Sequence, residues 1–187
     1  MAFWSWRRGT GATATSGTSA VAIVPELAPI ELYTADARIV GWLAPNGQRV
    51  TDVLNSSTEL RLWRPSPGPL EAPPPADAGG GEGEWQSLPT DAVILAMPPE
   101  WRASRQLRLH RRLRRIALTA GPFNVTGNVH LPPGVEPGQH LLRSQRFLPL
   151  TDGYVLHTAE PPFEHVVSVV IVNTAHVAQL VPLVTLG

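Results

Sequence analysis

No cysteine occurs in the 187 residues, and this one absence removes disulfides, zinc–thiolate sites and thiol nucleophiles together. It leaves the compartment open, because a cysteine-free chain suits the cytosol and the exterior equally. Lysine is absent as well, so all fifteen basic residues are arginine, which favours rigid, forked ion pairs. Charged residues are only 16% and sum to zero net charge. No global field therefore draws a polyanion, and any such partner would need a local patch. No apolar run approaches the roughly 20 residues of a membrane-spanning helix.

Catalytic signatures are missing too. Six histidines are present, yet no HExxH and no histidine pair at ligand spacing beside a carboxylate. His130 and His140 flank one loop, and His157 and His165 flank a proline turn. A metal site there would require the fold to bring the rings together, and isolated surface histidines are commoner. GGGEG at Gly79 to Gly83 lacks the following lysine and the strand-to-helix context of a phosphate loop. SGTS has no general base beside it. The expectation is a chain that is not an enzyme and holds no cofactor or metal.

What is present begins with an unusual N-terminus. Phe3, Trp4 and Trp6 precede Arg7 and Arg8, and small polar residues follow. A secretory signal needs positive charge before the apolar run, so the order is wrong for export and a cytoplasmic protein is expected. Residues 1–28 read as a flexible tail. In the sharper reading the aromatic cluster fills a partner's pocket, or sits at a membrane interface with Arg7 and Arg8 facing phosphate.

A first β unit is expected over residues 29–99. Ile30 and Leu32, then Ile39 to Leu43, form two apolar segments, and Pro45-Asn46-Gly47 makes a turn that tolerates positive φ. Val50, Val53 and Leu54 have helical spacing, with Thr51 or Asp52 as cap. Leu60 and Leu62 alternate with Glu59 and Arg61 like a half-buried strand. Gly41 lets the strand bend or another backbone approach. Residues 65–89 read as an insertion, since the prolines of PSPGPLEAPPPADAGGGEG lack amide donors and its glycines are costly to order.

Residues 100–114 form an arginine-rich linker, with a helix expected from about Glu100 to Arg112 and a strand from Arg115. Seven of the fifteen arginines fall between Arg102 and Arg115. Arg105, Arg108, Arg111, Arg112 and Arg115 are candidate partner-binding residues, for nucleic acid, anionic lipid or an acidic protein, because each guanidinium can fork onto phosphate or carboxylate. The alternative is internal pairing with acidic residues or simple solvation. Trp101 is the one aromatic nearby, so no stacking platform is visible here.

A second β unit is expected over residues 115–187. Strands are read at Ile116 to Thr119, Asn124 to His130, Phe147 to Leu150 and Tyr154 to His157. The near-continuous run VVSVVIVNTAHVAQLVPLV reads as strand, short turn at Asn173 to Ala175, and last strand. The first unit can be laid over the second. Ile39, Gly41 and Leu43 then meet Val125, Gly127 and Val129, and Leu54, Leu60 and Leu62 meet Leu142, Leu148 and Leu150. Thr90 to Leu95 reads against Thr151 to Leu156.

This order of bent glycine strand, loop, strand and VVIVNTAHVAQL resembles the small Sm-like β barrel. It is also similar to uncharacterised bacterial domains with R-x-T/S-D-x-L-N and F-x-P-L-T-D segments. Arg49, Thr51, Asp52, Leu54 and Asn55 carry the first segment, and Phe147, Pro149, Leu150, Thr151 and Asp152 the second. The second copy departs from the pattern at Leu141-Leu142-Arg143. The resemblance implies ring or stacked oligomers and sometimes RNA binding, but no RNA-contact residue carries over. The expected fold is mainly all-β, two tandem Sm-like barrel or sandwich units with the arginine stretch between them. The expected function is a structural adaptor that meets proteins or its own copies through β edges and a terminal peptide. The alternatives are a nucleic-acid module using Arg102 to Arg115, and a membrane-surface adaptor using the N-terminus.

Overall fold

The computed structural model describes residues 27–68, 84–98 and 112–183. In chain order come β1 (Ala28–Tyr33), β2 (Arg38–Leu43), helix α1 (Val50–Ser56), β3 (Glu59–Gly68), β4 (Trp85–Pro89), a 3-10 turn (Thr90–Ala92) and β5 (Leu95–Met97). There follow β6 (Arg112–Ala120), β7 (Phe123–Leu131), helix α2 (Leu141–Ser144), β8 (Phe147–His157), β9 (Phe163–Asn173), a 3-10 turn (Thr174–His176) and β10 (Val177–Pro182). The protein is mainly β, and its strands form one open antiparallel sheet in the order β10-β6-β7-β8-β9-β5-β1-β2-β3-β4. No linker separates two sheets among the described residues, because β5 of the first half hydrogen-bonds to β9 of the second.

Local chemistry explains most elements. Alternation drives β6, where Ile116, Leu118 and Ala120 are buried while Ala117 and Thr119 are not. Asn46 and Gly47 take positive φ of 49° and 80°, and the Gln48 amide closes the turn onto the Pro45 carbonyl at 2.8 Å. In α1 the buried residues are Val50 and Leu54, one turn apart. Its N-cap is Arg49, with no side-chain cap bond, so the capping role expected of Thr51 or Asp52 is corrected. The helix starts earlier than those polar residues because Val50 must already turn into the core.

Other boundaries move as well. β3 continues through Pro65 and Pro67 to Gly68, and β4 begins at Trp85, so the hairpin takes residues from both ends of the segment read as insertion. The β3–β4 pairing ends at Trp63, so among the described residues Pro65 and Pro67 have a strand on the β2 side only, an edge where proline is tolerated. The helix expected from Glu100 falls largely on residues outside those described, and Arg112, expected as its end, opens β6 instead. The two short strands expected at Phe147 and Tyr154 are one strand, β8, which passes Asp152 at a φ of 50°.

Several strand pairings of the two halves correspond. Ile30 faces Gly41 as Ile116 faces Gly127, and beyond a bulge Trp42 faces Trp63 as Asn128 faces Thr151. Leu60 faces Leu88 as Leu148 faces Val172, and Leu32 faces Ala96 as Leu118 faces Leu180. Thr90 Oγ1 donates to the Ser57 and Thr58 carbonyls, and Thr174 Oγ1 to those of Gln145 and Arg146. Thr90 therefore matches Thr174 in position. The overlay of Thr90-Asp91 on Thr151-Asp152 is overturned, since Thr151 lies in the middle of β8.

Apolar side chains gather in two clusters that ignore the division into halves. One holds Ile116, Leu118, Val125, Leu150, Val155 and Val170 of the second half together with Tyr33, Leu95 and Met97 of the first. The other holds Ile30, Leu32, Leu54, Leu60, Leu62 and Ala96 of the first half together with Phe147 and Ile171 of the second. The β5–β9 pair is thus a shared wall, with one face lining each cluster.

Candidate functional site at the shared wall and the end strands

The shared wall is built from alternation. In β5, Leu95 and Met97 point to one cluster and Ala96 to the other. In β9, Val170 and Val172 join the first and Ile171 the second. Leu95 faces Val172, and Ala96 faces Ile171. Polar clamps close one end. Asn55 Nδ2 donates to the Phe147 carbonyl at 3.1 Å, and the Phe147 amide donates to Asn55 Oδ1 at 2.8 Å. Fully buried Asn173 donates through Nδ2 to the Val93 carbonyl at 2.8 Å and accepts from the Ala175 amide at 3.1 Å. Arg146 pairs with Asp91. A buried amide satisfied on both sides fixes one register, since a slip would orphan it.

The other end carries an aromatic cluster. The Tyr33 ring meets Phe123 edge-on at 5.6 Å and stacks on Phe163 at 6.0 Å. Its hydroxyl donates to Glu31 and lies 3.2 Å from His165 Nε2, while Arg38 Nε donates to the same Glu31 oxygen at 2.5 Å. Burial, reinforced by the Glu31 carboxylate, pushes the Tyr33 phenol well above its ordinary range. His157 stacks on Phe163 at 4.7 Å, so this histidine packs within the aromatic cluster. Among the described residues, no three His, Asp or Glu side chains are grouped as a metal site.

The sequence candidates are only partly placed. Phe3, Trp4, Trp6, Arg7, Arg8, Arg105, Arg108 and Arg111 lie outside the described residues. Arg112 and Arg115 lie on β6, where alternation sends Arg112 and Arg114 to one face and Arg115 to the other. Arg114 forks onto Glu136, with Nη2–Oε1 at 3.0 Å and Nε–Oε2 at 3.2 Å. The hydrogen bonds and charge of that pair lower the Glu136 pKa and raise that of Arg114. The strand thus divides the described part of the arginine run. No helix among the described residues is long and apolar enough to cross a membrane.

A feature that sequence reading missed lies on the outer face of the first half. Pro29, Trp42, Trp63 and Trp85 stand opposite one another on four adjacent strands. The Trp63 and Trp85 rings are 5.5 Å apart and tilted by 58°, and the Arg61 guanidinium lies 5.3 Å over Trp85. The same positions in the second half hold Arg115, Asn128, Thr151 and Val169. Strand geometry alone does not demand tryptophan there. The signal in sequence is three tryptophans each near a strand, but only the pairing register aligns them.

At the two ends of the sheet, β4 and β10 each have a strand on one side only among the described residues. Ser87 on β4 and Gln179 and Val181 on β10 are exposed, Val181 by 39%. An open groove lies beside β4, lined by Ile39, Leu62, Pro65, Pro67, Gln86 and Leu88. No protein-family profile, curated protein or solved structure matches this chain.

Proposed function

We propose that this chain is a non-catalytic assembly module, two duplicated Sm-like β units fused through β5 and β9, which binds proteins through the end strands β4 and β10. The observation that carries the reading is the joint itself. Here the pairing of one unit's last strand with the other's fourth strand buries both clusters at once, while the corresponding strands at the sheet ends lack a strand partner among the described residues. An open strand offers a row of unpaired amides and carbonyls, and a strand from another chain satisfies them. Exposed Val181 and half-buried Trp85 would add apolar area to such a contact. A nucleic-acid reading gains little from Arg112, Arg114 and Arg115, which are split between two faces and partly neutralised.

The test places a photo-crosslinking residue, p-benzoylphenylalanine, at Gln86, at Gln179 and at the exposed control Glu160, in the full chain expressed in its own cells. Protein adducts are expected from positions 86 and 179 and not from 160. Equal labelling at all three positions, or none at any, overturns the assembly reading.

A further inference from the structure

Resting on that reading, we infer that the partner of β4 is β10 of a second copy of this chain, paired as β9 and β5 are paired inside one copy. Position-for-position register sets the contact. Because Leu118 faces Leu180 where Leu32 faces Ala96, Leu180 stands in the place of Ala96 and Gln179 in that of Leu95. Because Arg61 faces Ser87 where Pro149 faces Ile171, Ser87 stands in the place of Ile171 and Leu88 in that of Val172. The joint between copies therefore sets Ser87 opposite Leu180 and Leu88 opposite Gln179.

At three places the residues of the end strands and of the segments flanking them complement one another, although they differ from those of the internal joint. Inside, small Ala96 faces large Ile171. Between copies, large Leu180 would face small Ser87, which keeps the summed volume close, as a packed contact requires. Inside, Leu95 lies in an apolar cluster with Val170. Their counterparts are Gln179 and Gln86, two amides that can donate to each other. Inside, Asn55 bridges to Phe147. Counting back from the matching helix ends Ser57 and Gln145, the counterpart of Asn55 is Arg143, and that of Phe147 is Glu59. Both are exposed and they carry opposite charge. Three positions thus pair by volume, by amide and by charge, as a contact between the two end strands requires.

The groove beside β4 fits the same contact. Its lining residues Ile39, Leu62, Gln86 and Leu88 correspond to Val125, Leu150, Val170 and Val172, which in the second half enclose Tyr33, Leu95 and Met97. The side chains that would enter the open groove are the counterparts of those three, Thr119, Gln179 and Val181 of the second copy. The contact is weaker than the internal one, because Pro89 replaces buried Asn173 and Thr119 replaces Tyr33. It joins the front of one copy to the back of the next, so it closes into a ring or continues as a filament.

Two single-cysteine chains test the register, Leu88→Cys and Gln179→Cys. The protein has no cysteine of its own, so every disulfide joins two copies. Directly opposed residues of antiparallel strands have Cα atoms about 4.5–5.5 Å apart, within disulfide reach. On mild oxidation of the mixture, the mixed disulfide is expected to exceed either self-disulfide, and Leu88→Cys mixed with Glu164→Cys is expected to give none. Charge reversal supplies a second readout that leaves the core untouched. Glu59→Arg or Arg143→Glu alone should weaken self-association roughly threefold to tenfold at low salt, and the two in one chain should restore it. No preference for the mixed disulfide together with no restoration overturns the second-copy inference. If crosslinks at Gln86 and Gln179 persist in cells in that case, the assembly reading stands with a different protein as partner; if they are absent too, both fall.

Discussion

Phe147 belongs by sequence to the second half, yet its side chain is fully buried in the cluster of the first. Phe147→Ala therefore asks whether the sheet is one cooperative body. Removing a buried phenylalanine costs about 3–5 kcal/mol, the lost transfer energy plus the cavity that remains. The backbone bonds to Asn55 survive the substitution, so that cost is not enlarged by an orphaned amide. Against a total stability of about 5–15 kcal/mol, the loss is a large share. With a urea slope of about 2 kcal/mol per molar, the midpoint should fall by about 2 M. The three described tryptophans, Trp42, Trp63 and Trp85, all stand on strands of the first half, so their fluorescence follows that half, while far-ultraviolet circular dichroism follows strands of both. The two signals should move together in the variant, as one transition. A tryptophan transition that stays in place while circular dichroism shifts or splits would refute the shared core, because Phe147 would then stabilise its own half alone.

Gly127 and Gly41 occupy matching positions, yet an added Cβ meets different surroundings. At Gly127 it would lie 2.8 Å from Leu150 Cβ and 3.2 Å from the Thr151 carbonyl, whereas at Gly41 its nearest neighbour is 3.4 Å away. Gly127→Ala should destabilise by roughly 1–3 kcal/mol as β7 and β8 are forced apart, and Gly41→Ala should stay within roughly 1 kcal/mol of the parent, both read by urea unfolding. Equal effects would show that the bulges relax alike. For Tyr33, the folded pKa lies above the unfolded one, so its stabilising contribution is full below the unfolded value of about 10 and declines as pH rises above it. Thermal melting should fall more steeply between pH 9.5 and about 11 in the parent than in Tyr33→Phe, and parallel slopes would contradict the buried phenol.

Strand content was legible because period-two burial is written directly into segments such as Ile116 to Ala120 and Leu60 to Leu62. The Asn46-Gly47 turn was legible for an equally local reason, since few residues accept positive φ. Gly41 and Gly127 take corresponding places opposite Ile30 and Ile116, but the strand approach is tight only at Gly127. The overlay of Thr90 on Thr151 failed because a Thr-Asp pair before apolar residues suits both a turn and a bulged strand. The end of the arginine run was read as linker helix, since leucine spacing there fits either period, and pairing with β7 resolved Arg112 onward as strand.

By itself, the sequence determined that the fold is mainly β and where the Asn46-Gly47 turn falls, because alternation and positive φ depend on neighbours within a few residues. Only the tertiary structure decided that β5 and β9 share one wall, that Tyr33 and Phe147 each complete the other half's core, and that Trp42, Trp63 and Trp85 align. These are matters of register between strands far apart in the chain. An alternating segment specifies which of its faces is buried, but not which strand it lies beside.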